Sequence, residues 1–189
     1  MNFLYISTLC SKSTFMSIFN NSEVKPQQQV QKFHRLLGEG ILHNSKSILY
    51  LSKPPINKTF NRSINLEKME KISDKEMYQY FHVIRNPLLK HACLLFSSFI
   101  NTLKWNYKIK KEERVVICDI LNLSISFSAL IASKICRVKS VAIITDLPNY
   151  MGDSKKKRSV LYRLYLKLYQ SLCNFFMKRY DYYVILTEQ

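Results

Sequence analysis

The stretch RVVICDILNLSISFSALIASKICRVKSVAIITD, residues 114–146, decides the fold class. Its opening, Arg114 to Cys118, is a continuous apolar run rich in β-branched residues, the pattern of a strand covered on both faces. Residues 123–135 carry a helical pattern, and 140–145 return to a β-rich run. Taken as one segment, 115–133 is long enough at about 1.5 Å per residue to approach a membrane span, but Asp119, Asn122 and several serines interrupt it. The reading is a buried strand followed by a helix and a second buried strand. Strands joined in this way lie parallel, through a right-handed crossover.

Outward from that unit the same alternation continues. The sequence predicts strands at 2–7, 47–52 and 182–187, a further one at 78–84, and helices at 27–42, 87–107 and 155–180. Pro26 and Pro87 stand where a first helical turn tolerates a residue without an N–H, and Gly38 and Gly40 come near the end of the first helix. The order implies a Rossmann-like α/β domain: an open, mostly parallel sheet with helices on both faces. Ligands of such sheets bind beyond the carboxyl ends of the strands, so the loops to read are 8–25, 53–74, the residues after Cys118, and 146–154.

A length of 189 residues, with 47% hydrophobic and 22% charged residues, suits one domain with a substantial core. No internal repeat or long Gly/Ser/Pro linker divides it. The 29 Lys and Arg against 13 Asp and Glu leave a formal charge of +16, which favours an anionic partner: nucleic acid, acidic lipid or a phosphorylated substrate. The richness in Lys, Asn, Ile, Ser and Tyr also matches the coding bias of an A+T-rich genome, so part of the excess need serve no function. Five widely spaced cysteines without a CxxC pair read as reduced core residues, and four scattered histidines read as structural or surface groups. Neither pattern calls for a metal. The start lacks a charged leader and a signal-length apolar core.

Neither GxGxxG nor a P-loop is present, which disfavours a dinucleotide oxidoreductase or a P-loop kinase. After Ser7 comes Thr8-Leu9-Cys10-Ser11-Lys12-Ser13-Thr14, a hydroxyl-rich loop open to a ligand. Residues 8–25 form a long connection, either a lid or a surface insertion with its own apolar knot of Phe15, Ile18 and Phe19. Lys25 adds charge where the next helix points its amino terminus at the ligand edge. Asp119 and Asp146 each follow directly on a buried strand, where a carboxylate binds a hydroxyl or acts as a base, or else simply caps a helix or forms a turn. The helix at 155–180 is basic: Lys155, Lys156, Lys157 and Arg158 open it, and Arg163, Lys167, Lys178 and Arg179 continue it. A broad, tyrosine-rich apolar face bordered by these cations suits anionic lipid headgroups, and it equally describes a packed helix with a solvated basic face.

Asn2-Phe3-Leu4-Tyr5-Ile6-Ser7, Lys25-Pro26-Gln27-Gln28-Gln29-Val30-Gln31-Lys32-Phe33-His34-Arg35-Leu36-Leu37, Cys118-Asp119-Ile120-Leu121-Asn122, Ile144-Thr145-Asp146-Leu147-Pro148 and Tyr180-Asp181-Tyr182-Tyr183-Val184-Ile185-Leu186-Thr187-Glu188, taken in that order, resemble the amino-terminal half of bacterial family-4 glycosyltransferases. The resemblance implies one half of a GT-B fold, in which two Rossmann-like domains face each other across a cleft. The first binds the acceptor; the second binds the nucleotide-sugar donor and carries a pair of glutamates. On this expectation the chain is the acceptor half of a retaining enzyme, inactive alone and holding no cofactor itself, while the donor binds the missing domain. The acceptor is a glycan or a polyprenyl-linked saccharide in cell-surface polysaccharide synthesis. Ser7, Thr8, Lys25 and Asp119 then face the acceptor, and Asp146 takes the catalytic or acceptor-orienting position. The chain departs from the family in lacking a glycine pair after the first strand. The basic helix would hold the protein on the inner face of the cytoplasmic membrane. The alternative is a non-catalytic basic module for anionic membranes or nucleic acid; nucleic acid has less support, because no RNP-like, helix-turn-helix or zinc-finger pattern is present.

Overall fold

The computed structural model describes residues 1–56, 68–82, 86–110, 113–145 and 160–185. In chain order the elements are β1 (Asn2–Ser7), α1 (Lys12–Asn21), α2 (Gln28–His43), β2 (Ser47–Ser52), β3 (Met69–Lys71), β4 (Glu76–Tyr80), α3 (Pro87–Lys108), β5 (Arg114–Asp119), α4 (Leu123–Ile135), β6 (Lys139–Ile144), α5 (Val160–Met177) and β7 (Tyr182–Ile185). The strands form one seven-stranded sheet in the order β3-β4-β2-β1-β5-β6-β7. Every neighbouring pair is parallel except β3 with β4. The fold is Rossmann-like α/β, as residues 114–146 predict.

Side chains alternate between two apolar layers because the strand period is two. On one face Leu4, Ile6, Leu51, Val116, Cys118, Ala142 and Ile144 pack with Leu94 and Trp105 of α3, Ile125, Ala129 and Leu130 of α4, and Phe176 and Met177 of α5. On the other, Tyr5, Ile48, Tyr50, Tyr78, Tyr80, Ile117 and Ile143 meet Phe15 and Ile18 of α1 and Phe33, Leu37 and Ile41 of α2. Burying one such side chain as fully as Ile125 contributes roughly 1.5–3 kcal/mol.

Register gathers the carboxyl ends in one row. Ser52 pairs with Tyr80 and with Ser7, Ile6 pairs with Cys118, and Asp119 pairs with Ile143. From β1 the chain runs to β2 and β4 on one side, then returns to β5 on the other. The switch point lies between β1 and β5, where Ser7 and Asp119 end their strands.

Three elements differ from expectation. Residues 8–25 are not one long loop or lid, because Lys12–Asn21 are helical. Ser11 caps that helix by accepting from the Thr14 N–H at 3.2 Å, and Phe15 and Ile18 lie buried one turn apart. The apolar knot is therefore the packed face of a short helix. Within 53–74 the strand β3 adds an antiparallel edge, and β4 begins and ends earlier than 78–84. α5 occupies 160–177 of the basic segment. Asp146, the rest of the 146–154 loop, and Lys155, Lys156, Lys157 and Arg158 lie outside the described residues.

Candidate functional site

The switch point is built around a buried polar chain. Tyr5 projects from β1, His34 from α2 and Asp119 from the end of β5, and all are at most 2% exposed. The Tyr5 hydroxyl and His34 Nδ1 lie 2.5 Å apart, and His34 Nε2 stands 3.5 Å from Asp119 Oδ2. Burial first, and then the charge of Asp119, push the Tyr5 phenol well above its ordinary pKa, so its proton is retained. A protonated Tyr5 that donates to Nδ1 leaves the Nε2–H facing the carboxylate. His34 reaches this place because α2 turns Gln31, His34 and Gly38 inward, on one helical stripe.

Asp119 is fully engaged within the protein. Its Oδ1 accepts from the Leu121 N–H at 3.2 Å, its Oδ2 accepts from the Asn122 side-chain amide at 2.6 Å, and Ser126 Oγ donates to its backbone carbonyl. This arrangement shapes the turn into α4. Ser7 is buried as well, and its hydroxyl accepts from the Leu9 N–H at 3.0 Å. Thr8 is half-buried, and its carbonyl accepts from the Gln31 side-chain amide at 2.7 Å. Ser7, Thr8 and Asp119 thus come together at one edge.

Lys25 does not join them. Its ammonium donates to the carbonyl of Phe19 at 2.8 Å and lies over the Phe19 ring, neutralising the carboxyl end of α1. The hydroxyls of the 8–14 segment have an internal occupant. Glu70, on β3, accepts from Ser11 at 2.7 Å, Ser13 at 2.8 Å, Thr14 at 3.0 Å and the Tyr80 phenol at 2.8 Å. Burial raises the Glu70 pKa, but the hydroxyl donors outweigh it and hold the carboxyl below its ordinary value. The carboxylate sits at the amino terminus of α1, where the helix favours an anion.

The basic helix packs by one side and leaves an apolar stripe outward. Cys173 is buried, Phe176 packs on Phe127 with the rings tilted by 39° and their centres 3.9 Å apart, and the Tyr169 phenol donates to the Leu121 carbonyl at 2.9 Å. These residues form the sheet-facing side of α5. Leu164, Leu168 and Phe175 are 59%, 61% and 50% exposed, and Leu172 is exposed as well. Arg163 and Lys167 flank this outward apolar stripe, and Arg179 lies over the Phe175 ring at 3.5 Å. Lys178 is exposed just past the helix.

All five cysteines are free. Burial pushes the Cys10 and Cys118 thiols up to about 12, so neither is a nucleophile near neutrality. Among the described residues no group of His, Cys, Asp and Glu is placed to hold a metal ion, and no helix is long and apolar enough to cross a membrane. Tyr5 and His34 escape a reading of the sequence alone. His34 shares its inward stripe with Gln31, the signal that it faces the core, but nothing local names Asp119 as its partner. No family model, curated protein or solved structure matches the chain.

Proposed function

We propose that the chain is the acceptor-binding half of a retaining, nucleotide-sugar-dependent glycosyltransferase that works on an anionic membrane surface in cell-surface polysaccharide synthesis. The observation that carries the reading is the switch point between β1 and β5, where a parallel sheet gathers Ser7, Thr8 and Asp119 at one edge beside the buried His34 and Tyr5. Asp119 acts by shaping this edge, since both of its oxygens are occupied. Asp146, next in sequence after Thr145, takes the role of accepting the proton of the acceptor hydroxyl or orienting that group. In the transfer, the bond from the anomeric carbon to the donor phosphate breaks, the acceptor oxygen bonds to that carbon, and a nucleoside diphosphate leaves. The donor sits on a second domain.

The membrane part of the proposal is supported by α5, whose exposed Leu164, Leu168, Leu172 and Phe175 lie beside the exposed Arg163 and Lys167 instead of against the sheet. The test of transfer compares membranes of cells that express the chain with membranes of cells that lack it. Label from a panel of nucleotide sugars is expected to move onto extracted lipid-linked acceptor, and to be lost in the Asp146→Asn variant. Absence of both transfer and donor hydrolysis across the panel would overturn the enzyme reading. One observation favours a second reading, a non-catalytic module for anionic membranes: Asp119 and Glu70 are each satisfied internally.

A further inference from the structure

The helices on the two faces of the sheet present different surfaces to solvent. On one face α1 and α2 expose a single large apolar residue each, Met16 and Leu36. On the other, α3 exposes Leu89, Phe96, Ile100 and Tyr107, and α4 exposes Ile131 and Ile135, beside the outward stripe of α5. Phe96 and Tyr107, at 70% and 77%, are more exposed than any residue of that α5 stripe. Spacings of seven, four and seven residues put the α3 set on one side of the helix, over about 27 Å of its length. The inward side of α3 is taken by Leu94, Ser98, Thr102 and Trp105, all buried, so the stripe points away from the core.

These three helices form one layer. Ser98 Oγ of α3 donates to the Ile125 carbonyl of α4 at 2.7 Å, and His91 Nδ1 lies 2.8 Å from the Ser124 hydroxyl. On its other side α4 meets α5 through Phe127 and Phe176, and the Tyr180 phenol just past α5 donates to the Ser126 carbonyl at 3.2 Å. The layer is also one-signed. No Asp or Glu occurs in α3, α4 or α5, whereas Lys104, Lys108, Arg163 and Lys167 are exposed on them. Among the described residues none of these four cations forms an ion pair. Lys134 of α4 is neutralised from outside the layer, by Asp181 at 2.6 Å.

We propose that the outer surface of α3, α4 and α5 together is a docking face for an anionic bilayer, on which the sheet lies parallel to the membrane. The inference rests on the membrane part of the proposed function and extends it from one helix to a layer of three. An apolar surface with only cations among its charges is matched by acyl chains below a plane of negative headgroups. A second copy would instead set the same cations against each other with no carboxylate to receive them. None of the described helices is long and apolar enough to cross, so the layer rests on the bilayer. In this pose the strand ends at Ser7 and Asp119 open sideways, about one helix diameter, 10–12 Å, above the lipid. They face groups that stand off the surface, such as saccharide on a lipid carrier, and not the acyl chains.

The experiment places a tryptophan at one position at a time in the whole chain and binds it to phosphatidylglycerol vesicles that contain brominated lipid, which quenches only rings at the bilayer. Phe96→Trp on α3, Ile131→Trp on α4 and Leu168→Trp on α5 should each be quenched at least about twofold more than the parent, whose Trp105 is buried. Leu36→Trp, on the opposite face, should stay at the parent level. Quenching of Leu168→Trp alone would overturn the three-helix face and leave the membrane reading of α5 standing, whereas absence of both quenching and vesicle binding would remove the two together. Quenching of all four alike would also overturn it, because no face would be preferred. Independently, Phe96→Gln/Ile100→Gln should weaken vesicle binding at least about tenfold, and unchanged affinity would count against the proposal. If that variant fails to fold, the quenching series decides. Dimers in sedimentation without lipid, abolished by the same pair of substitutions, would assign the face to a second copy and overturn the lipid surface.

Discussion

At position 38 an added methyl group would overlap the Tyr50 hydroxyl, whereas at position 40 it would meet open space. Both glycines lie inside α2, so a reading of helix ends treats them alike, yet only one is needed for packing. Gly40→Ala is expected to stabilise the protein by up to about 1 kcal/mol, because it removes the glycine penalty in a helix. Gly38→Ala should instead destabilise by about 1–2 kcal/mol, because Tyr50 is buried and must shift. Urea unfolding of the pair separates the two effects. The same logic applies to His34→Phe, which leaves the Tyr5 hydroxyl and a buried Asp119 oxygen short of a partner; a loss of about 2 kcal/mol or more is expected in the same assay. The place of Asp119 directly after a buried strand was legible in the sequence. Its meeting with His34 and Tyr5 was not, since three elements distant in the chain must first be brought to one switch point.

Between elements, the Glu70 carboxylate ties β3 and β4 to α1 through Ser11, Ser13, Thr14 and Tyr80. Its folded pKa lies below the unfolded value of about 4.3, so the stability it contributes is complete above that pH and is lost as pH falls through the folded value. Glu70→Gln should therefore flatten the acid side of the stability profile below about pH 4.5, as measured by thermal melting in a pH series. Asp181, held low by Lys134 and Ser140, contributes in the same direction and keeps some acid dependence in that variant. α3 holds a different tension: Ser98, Thr102 and Asn106 are buried on one stripe, and the Thr102 hydroxyl has no hydrogen-bond partner among the described residues. Replacement by the isosteric valine, Thr102→Val, should stabilise by about 1 kcal/mol in urea unfolding. α1 itself was missed because its apolar content is only Phe15, Ile18 and Phe19 with Met16 exposed, too little periodicity to outweigh a polar, serine-rich run.

For the whole molecule, the +16 formal charge and the outward stripe of α5 predict how it meets a surface. Sedimentation with phosphatidylglycerol vesicles should exceed that with phosphatidylcholine, and should fall as salt rises from about 50 to about 500 mM, because screening shortens the reach of each charge. Charge reversal in Arg163→Glu/Lys167→Glu should remove most of the difference, and equal binding to both vesicle types would end the lipid reading. The class of the fold was readable from continuous apolar strands alternating with helical patterns, because period and length are local properties of a chain. So was the mostly parallel sheet with its strand carboxyl ends gathered on one edge, which follows from crossover handedness. Which face of α5 packs and what Glu70 occupies emerged only once the chain had folded. These outcomes depend on charges and rings far apart in sequence competing for the same few ångströms of space, and no local pattern records which of them wins.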